Sequence, residues 1–181
     1  LKKELGLDVS KVERYFNWIS GMIVGDFGVS YTYRVPISEL VISRIGVSIP
    51  LAIYAILLSI FIAIPIGIIS AANHGGFKDW SFMGLTQLGI AIPNFWFAML
   101  LVLIFSLYLK WFSAGGVPGW DKGLLLNFKA LTLPAFALAL PQASILARVM
   151  RSALIETLSQ DYFRTARASG LTFFQAIKNH A

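Results

Sequence analysis

Residues able to act on a substrate are sparse in this chain. It has no cysteine and two histidines, His74 and His180. Neither has a second histidine or a carboxylate at metal-ligand spacing, so no metal site is expected and both read as plain loop residues. Gly75-Gly76 and Gly115-Gly116 lack the Lys-Ser/Thr pair that completes a phosphate-binding loop, and they read as turns. Ser48, Ser59, Ser70 and Ser106 lie in apolar stretches, and only Ser70 has a histidine nearby in sequence, the loop residue His74. Their expected use is hydrogen bonding to backbone or to a neighbouring helix. The larger polar side chains in those stretches are Gln87, Asn94 and Gln142. Carriers driven by protons or sodium place Asp, Glu or His there as the coupling group. If this chain transports, its energy enters from elsewhere. No catalytic residue and no cofactor site is expected.

The elements that must hold these residues follow from composition. Of 181 residues 57% are apolar and 13% charged, the latter about half the usual share for a soluble domain. Mean hydropathy is +0.72. A soluble domain of this size leaves too much surface wet to accept so much apolar side chain. The apolar residues also fall in long charge-free runs: Ile45 to Ala72, Ser81 to Leu109 and Ala130 to Ala147. A bilayer core of about 30 Å needs about 20 helical residues. The first two runs exceed that. The third approaches it, with Arg148 at its end able to snorkel to the interface. Three membrane spans are expected, about 46–71, 82–109 and 130–150.

The net charge of +6 comes from basic residues in loops beside these spans, where anionic lipid is the ordinary partner. No stretch interleaves dense Lys/Arg with aromatics, so nucleic acid is not expected. Counting Lys and Arg does not orient the spans. Lys78, Arg148, Arg151, Arg164 and Arg167 on one side balance Arg34, Arg44, Lys110, Lys122 and Lys129 on the other. The start at Leu1 and the end at Ala181, inside a basic amphipathic segment, read as a piece of a longer protein.

Residues 1–45 have a wet start at Lys2, Lys3, Glu4 and Asp8. Tyr15, Trp18, Ile19, Met22 and Ile23 then recur at helical spacing, which suits a short interfacial helix. Gly25, Asp26 and Gly28 mark a turn, and Pro36 opens a short helix over Ile37 to Arg44. Residues 110–129 read as a loop, with Trp111 and Trp120 as interface anchors. Pro50, Pro65, Pro93, Pro134 and Pro141 fall within or beside the spans, where they are expected to kink helices.

The most informative segment is Leu154 to Ala181. Leu154, Ile155 and Leu158 extend the third span outward. Asp161 stands at a helix-cap position, Tyr162 to Ala168 forms a short basic helix, and Gly170 ends it. Thr172 caps a second helix with Phe173, Phe174 and Ile177 as its apolar set. Two readings fit: a compact knob outside the bilayer that docks on a partner, or a helix lying on the membrane surface.

DYFRTARASGLTFFQAIKNHA resembles the cytoplasmic loop of permease subunits of binding-protein-dependent ABC importers, in the dipeptide/oligopeptide permease family. That family often reads D-Y-x-R-T-A-R-A-x-G-L there. The wider importer pattern, E-A-A-x-x-x-G, is matched less well: Arg164, Thr165 and Ala166 occupy its first three positions. Gly25-Asp26-Phe27-Gly28-Val29-Ser30 resembles the family's G-D-L/F-G-x-S, and Arg34-Val35-Pro36-Ile37 its R-x-P-V. Pro93-Asn94-Phe95-Trp96 resembles its P-x-F-W. Leu133-Pro134-Ala135 with Arg148, Arg151 and Leu154 resembles its fourth span and exit.

The resemblance implies an all-α, polytopic membrane protein with the type I ABC importer transmembrane-domain fold, of which the three spans would be the second to fourth of six. Residues 1–45 and 110–129 would face outward; 71–80 and the coupling segment 151–181 would face the cytoplasm. It implies a permease subunit in the cytoplasmic (inner) membrane that pairs with a second permease. A solute-binding protein would deliver substrate, and two ATPase subunits would supply energy. The chain itself would not be an enzyme. Asp161, Tyr162, Arg164, Thr165, Ala166, Arg167, Ala168, Ser169 and Gly170 would form the ATPase-coupling contact. The family's substrates include dipeptides, oligopeptides, glutathione, some sugars and nickel chelates. The alternative is a membrane scaffold or channel-like subunit without an ATPase; a membrane-embedded hydrolase is more distant.

Overall fold

The computed structural model describes residues 10–180, and the wet start at Lys2 to Asp8 lies outside the described residues. The side chains of Phe174, Lys178, Asn179 and His180 lie outside them too. The elements are α1 (Lys11–Ile23), α2 (Ile37–Ala72), α3 (Phe77–Ala91), α4 (Asn94–Leu101), a π-helical stretch (Val102–Tyr108), a 3-10 turn (Trp120–Lys122), α5 (Leu124–Ser159), α6 (Asp161–Ala168) and α7 (Phe173–His180). The chain divides into two compact units at Pro50/Leu51.

In the first unit, α1 begins at Ser10, whose hydroxyl accepts the Glu13 N–H at 3.2 Å. Tyr15, Phe16 and Trp18 of this helix are exposed. The Asp26 carboxylate then accepts the Gly28 N–H at 2.9 Å, turning the chain. Val29 and Pro36 form an isolated antiparallel bridge, and the Ile37 N–H reaches the Gly28 carbonyl at 2.9 Å. Main-chain bonds thus pin the segments 25–30 and 34–37 together. The short helix expected at Ile37 to Arg44 is not separate: α2 continues through it and the first span to Ala72. Pro50 and Pro65 sit within α2 without ending it.

In the second unit, α2 and α5 pack in parallel through small residues. Ala55, Ser59, Ala63, Gly67 and Ala71 are buried at four-residue spacing on α2. Ala135, Ala139, Ala143 and Ala147 are buried at the same spacing on α5. Spacing of four places each set on one face, and small side chains let helix backbones approach where lipid offers no hydrophobic contrast. Ala63, Ala143 and Ala147 form one cluster, flanked by Ile62 and Ile66. The register is fixed at both ends. Tyr54 meets Thr132 at 3.5 Å and stacks edge-on against Phe128. Gly67 fits beneath Met150, where an added Cβ would stand 2.7 Å from Cγ.

The second expected span is broken. α3 and the α4/π-helical segment meet at 99°. Ile92 is extended, with φ −80° and ψ 123°, because the ring of Pro93 excludes the helical conformation from the residue before it. Two arms of roughly 22 Å at that angle put their far ends roughly 29 Å apart, close to a bilayer core. The two ends of the bent pair meet opposite ends of α5. α3 runs antiparallel to α5, with Asp79 against Arg151 and Gly89 against Ser144. At the far end, Lys129 lies over the Phe112 ring, 6.0 Å from its centre. Positions 129 and 151 are separated by about 33 Å of helix. α2, α5 and this bent pair therefore supply up to three crossings by length and composition. The expected loop 110–129 is shorter than the sequence suggested, because α5 already begins at Leu124. Asn127 fixes that start, donating to the Gly119 and Gly123 carbonyls at 2.8 and 2.6 Å.

Candidate functional site

α5 extends well past its apolar run, and its last turns carry two features. The first is an elbow. Gln160, extended at φ −74° and ψ 149°, turns the chain out of α5 and caps α6; the cap falls one residue before the expected Asp161. Phe163 and Ala166 are buried on the inner face of α6 and Ala176 on α7. They form a small core with Leu158, Leu171, Phe173 and Ile177. Phe163 and Phe173 meet edge-on, 6.3 Å between centres. Gly170, with φ +93°, makes the left-handed turn between the two helices. α7 opens with a reciprocal cap: the Thr172 N–H donates to Gln175 Oε1 at 2.9 Å, and the Gln175 N–H donates to the Thr172 hydroxyl at 3.4 Å. Arg167 closes the joint by donating to the Leu171 carbonyl at 3.0 Å.

The elbow therefore has an inner and an outer face. Among the residues expected at a partner contact, Ala166 packs inward and shapes the knob. Tyr162, Arg164, Thr165 and Ser169 are exposed, as are Asp161, Arg167, Ala168 and Gly170. Tyr162, Thr165 and Ser169 border a shallow concavity floored by Ala166. Arg164 and Asp161 approach to 3.7 Å in full exposure, a pair that contributes little to stability.

The second feature was not anticipated from sequence. Asp79, in the first turn of α3, is the one buried charged residue among the described residues. Arg151 grips it in a two-pronged fork, Nε to Oδ1 and Nη2 to Oδ2, each 2.6 Å. The Gly75 N–H donates to Oδ2 at 2.9 Å, tying the same carboxylate to the turn that leads into α3. His74, expected to be a plain loop residue, lies against the pair instead, with Nδ1 3.0 Å from Arg151 Nη2. A guanidinium only donates, so Nδ1 is the acceptor. One helical turn nearer the span, Arg148 donates to Gln87 at 3.0 Å. Asp79 and Arg151 both lie outside the charge-free runs. The Arg151 guanidinium holds the Asp79 carboxyl well below the ordinary carboxylate range, more than offsetting the opposing effect of burial. Asp79 in turn raises Arg151. The sequence signal was a carboxylate three residues into a helix that follows Gly75-Gly76, facing an arginine just beyond an apolar run.

Of the four serines expected to hydrogen-bond, Ser59 and Ser106 do so, whereas the Ser70 hydroxyl is buried without a partner. Ser59 and Ser144 donate to the Ile56 and Leu140 carbonyls, each at 2.8 Å. Ser106 donates to the Phe112 carbonyl at 2.8 Å and closes the π-helical stretch.

The family of binding-protein-dependent transport system inner membrane components matches residues 63–181. A Brucella suis protein named for a peptide transport system permease is 38% identical, covering 100% of this chain and 58% of its own length. The oligopeptide transport system permease protein AppB of Bacillus subtilis is 34% identical, over 98% of this chain and 57% of its own. A Sinorhizobium fredii protein named for a peptide ABC transporter permease is 30% identical, over 100% and 58%. The chain thus spans little more than half the length of the curated relatives it matches. It belongs to the family of binding-protein-dependent transport system inner membrane components, whose members are transport subunits of the cytoplasmic membrane.

Proposed function

We propose that this chain forms part of the permease subunit of an ATP-driven importer, lining with a second permease a path for peptides or a related small solute. The observation that carries the reading is the elbow. It is a knob with its own apolar core, set at the end of a long helix and outside the apolar run. A surface-lying helix needs a continuous apolar face toward lipid. Here Phe163 and Ala166 spend that face inside the knob. The names of the relatives support peptides as the solute class.

In this reading residues 1–45 face outward, where a solute-binding protein docks, and 151–181 face the cytoplasm. The outer face of the elbow, with Tyr162, Arg164, Thr165 and Ser169, sits on one of two ATPase subunits; Asp161, Arg167, Ala168 and Gly170 flank that face. ATP binding closes the ATPases and displaces the knob as a rigid body. α5 carries the displacement into the bundle, and the path opens alternately to each side. The chain's own residues hydrolyse nothing. Substrate selection rests with the binding protein, because the helix surfaces offered to the path are apolar.

The test is steric. Thr165→Trp fills the concavity on the elbow's outer face without touching its core. The variant should insert in the membrane normally but lose co-purification of the ATPase and ATP-driven uptake. Undiminished co-purification and uptake would remove the elbow from the contact.

A further inference from the structure

The fork between Asp79 and Arg151 occupies a position that stability alone does not explain. Arg151 lies eight residues before the end of α5, about 12 Å from the elbow. Asp79 lies in the first turn of α3, the near arm of the broken span. The far arm departs at Pro93, with α3 turned 99° from it. The chain of rigid pieces therefore runs elbow, α5, fork, α3, and then the break at Pro93. Along α3 the other contacts with α5 are of different kinds. Gly89 against Ser144 is a close packing contact, and Gln87 to Arg148 is a single exposed hydrogen bond. The fork is the two-pronged, charge-assisted contact, and it stands at the end nearest the elbow.

We propose that Asp79 and Arg151 are positioning residues that lock the entry of α3 to the exit of α5, so that displacement of the elbow is delivered to the break at Pro93. The fork stays closed throughout the cycle, and the bending occurs at Ile92-Pro93, where the helix has no continuous hydrogen bonding to resist it. Asp79 is held on two sides, by the Arg151 fork and by the Gly75 N–H, while His74 accepts from the same guanidinium. That arrangement fixes direction as well as distance. Loss of the fork leaves the knob attached to α5 but frees α3 to lag behind it. ATP hydrolysis and transport then separate.

The proposal rests on the importer reading, and the experiment keeps the two apart. The full-length permease is assembled with its partners and reconstituted in vesicles, and both ATP hydrolysis and solute uptake are measured. Asp79→Asn keeps the shape and the acceptor for Gly75 but removes the charge; Arg151→Gln removes the fork from the other side. Each should hydrolyse ATP at the wild-type basal rate while uptake per ATP falls about tenfold. A merely structural role would lower assembly and hydrolysis together and leave the ratio unchanged, which overturns the proposal. A second arm uses the absence of cysteine. In Asp79→Cys/Arg151→Cys, made in a background with no other cysteine, a short bis-methanethiosulfonate, which bridges the two thiols through disulfides, should restore uptake, and reduction of those disulfides should abolish it again. If bridging instead blocks uptake while hydrolysis continues, the fork has to open and the proposal fails, although the importer reading stands. If the wild-type assembly shows no ATP-driven uptake, the importer reading fails and takes the proposal with it.

Discussion

Gly67→Ala tests the packing on which every later step depends. Gly67 sits on α2 where that helix meets α5, and an added Cβ would stand 2.7 Å from Met150 Cγ, 2.8 Å from Met150 Cβ and 3.1 Å from the Ala147 carbonyl oxygen. Ordinary carbon contacts lie at about 3.5–4.0 Å, so the overlap is about 1 Å. Rotation of the Met150 side chain relieves the Cγ contact. It does not relieve the contacts to Cβ and to the carbonyl oxygen, which move only with the α5 backbone. The helices must therefore separate, and the cluster of Ala63, Ala143 and Ala147 loosens with them. Overpacking of this kind costs about 1–3 kcal/mol. Gly84 on α3 is the control, because a Cβ there meets nothing within 4 Å. Gly84→Ala should be neutral or stabilise by up to about 1 kcal/mol through helix propensity. Thermal unfolding of the purified protein in detergent, followed by tryptophan fluorescence, reads both. Gly67→Ala should lower Tm by several degrees and Gly84→Ala should not. If Gly67→Ala melts at the wild-type temperature, the α2–α5 register is wrong.

Two further substitutions separate the elbow from the fork. Phe163→Ala removes the buried aromatic ring of the elbow's small core and should cost that core about 3–5 kcal/mol, enough to unfold it locally. Hydrogen exchange should then quicken across residues 161–177 and remain slow in α2, α3 and the apolar run of α5. Asp79→Ala leaves Arg151 without its partner at a side chain only 21% exposed and should cost about 3 kcal/mol, measurable as a fall in Tm at neutral pH. The sign of the pH dependence follows from the direction of the Asp79 shift. A carboxyl held below its ordinary range contributes fully above that range and loses its contribution only as pH falls through the folded value. The wild-type minus Asp79→Ala difference in Tm should therefore stay level between about pH 5 and 8 and shrink only in stronger acid. A difference that already shrinks near pH 6 would contradict the geometry of the fork.

Much of this architecture was legible from the residues. The charge-free runs gave the apolar helices, because a bilayer imposes a length that few soluble structures need. Gly170 and Thr172 marked the elbow, because a left-handed turn and a helix cap each require particular residue types. The elements that were missed depend on tertiary contact. Ile37 to Arg44 carries its own proline start and polar residues, and nothing local shows that α2 runs on through it. Pro93 signalled a kink, but the size of the bend is set by where α5 holds the two arms. The small residues from Ala55 to Ala71 lie inside one charge-free run, so hydropathy averaged over the run hides them; only size and spacing distinguish them. Asp79 and Arg151 are 72 positions apart. Each alone looks like an ordinary charge beside a span, and only the antiparallel pairing of α3 with α5 joins them.

The central claim, that the elbow is the contact with an ATPase, is tested most directly by a single cysteine at Ser169. The residue is exposed on the elbow's outer face, beside Tyr162 and Thr165; these 181 residues contain no cysteine, and any in the rest of the full-length protein is replaced first. Membranes containing the full-length Ser169→Cys protein and its candidate ATPase would be treated with a short thiol cross-linker, with and without ATP. The account predicts a cross-link between the two that changes in yield with nucleotide. Ready labelling of Ser169→Cys from the cytoplasm with no cross-link to a co-purifying ATPase would contradict the docking assignment, and labelling only from outside would contradict the topology as well.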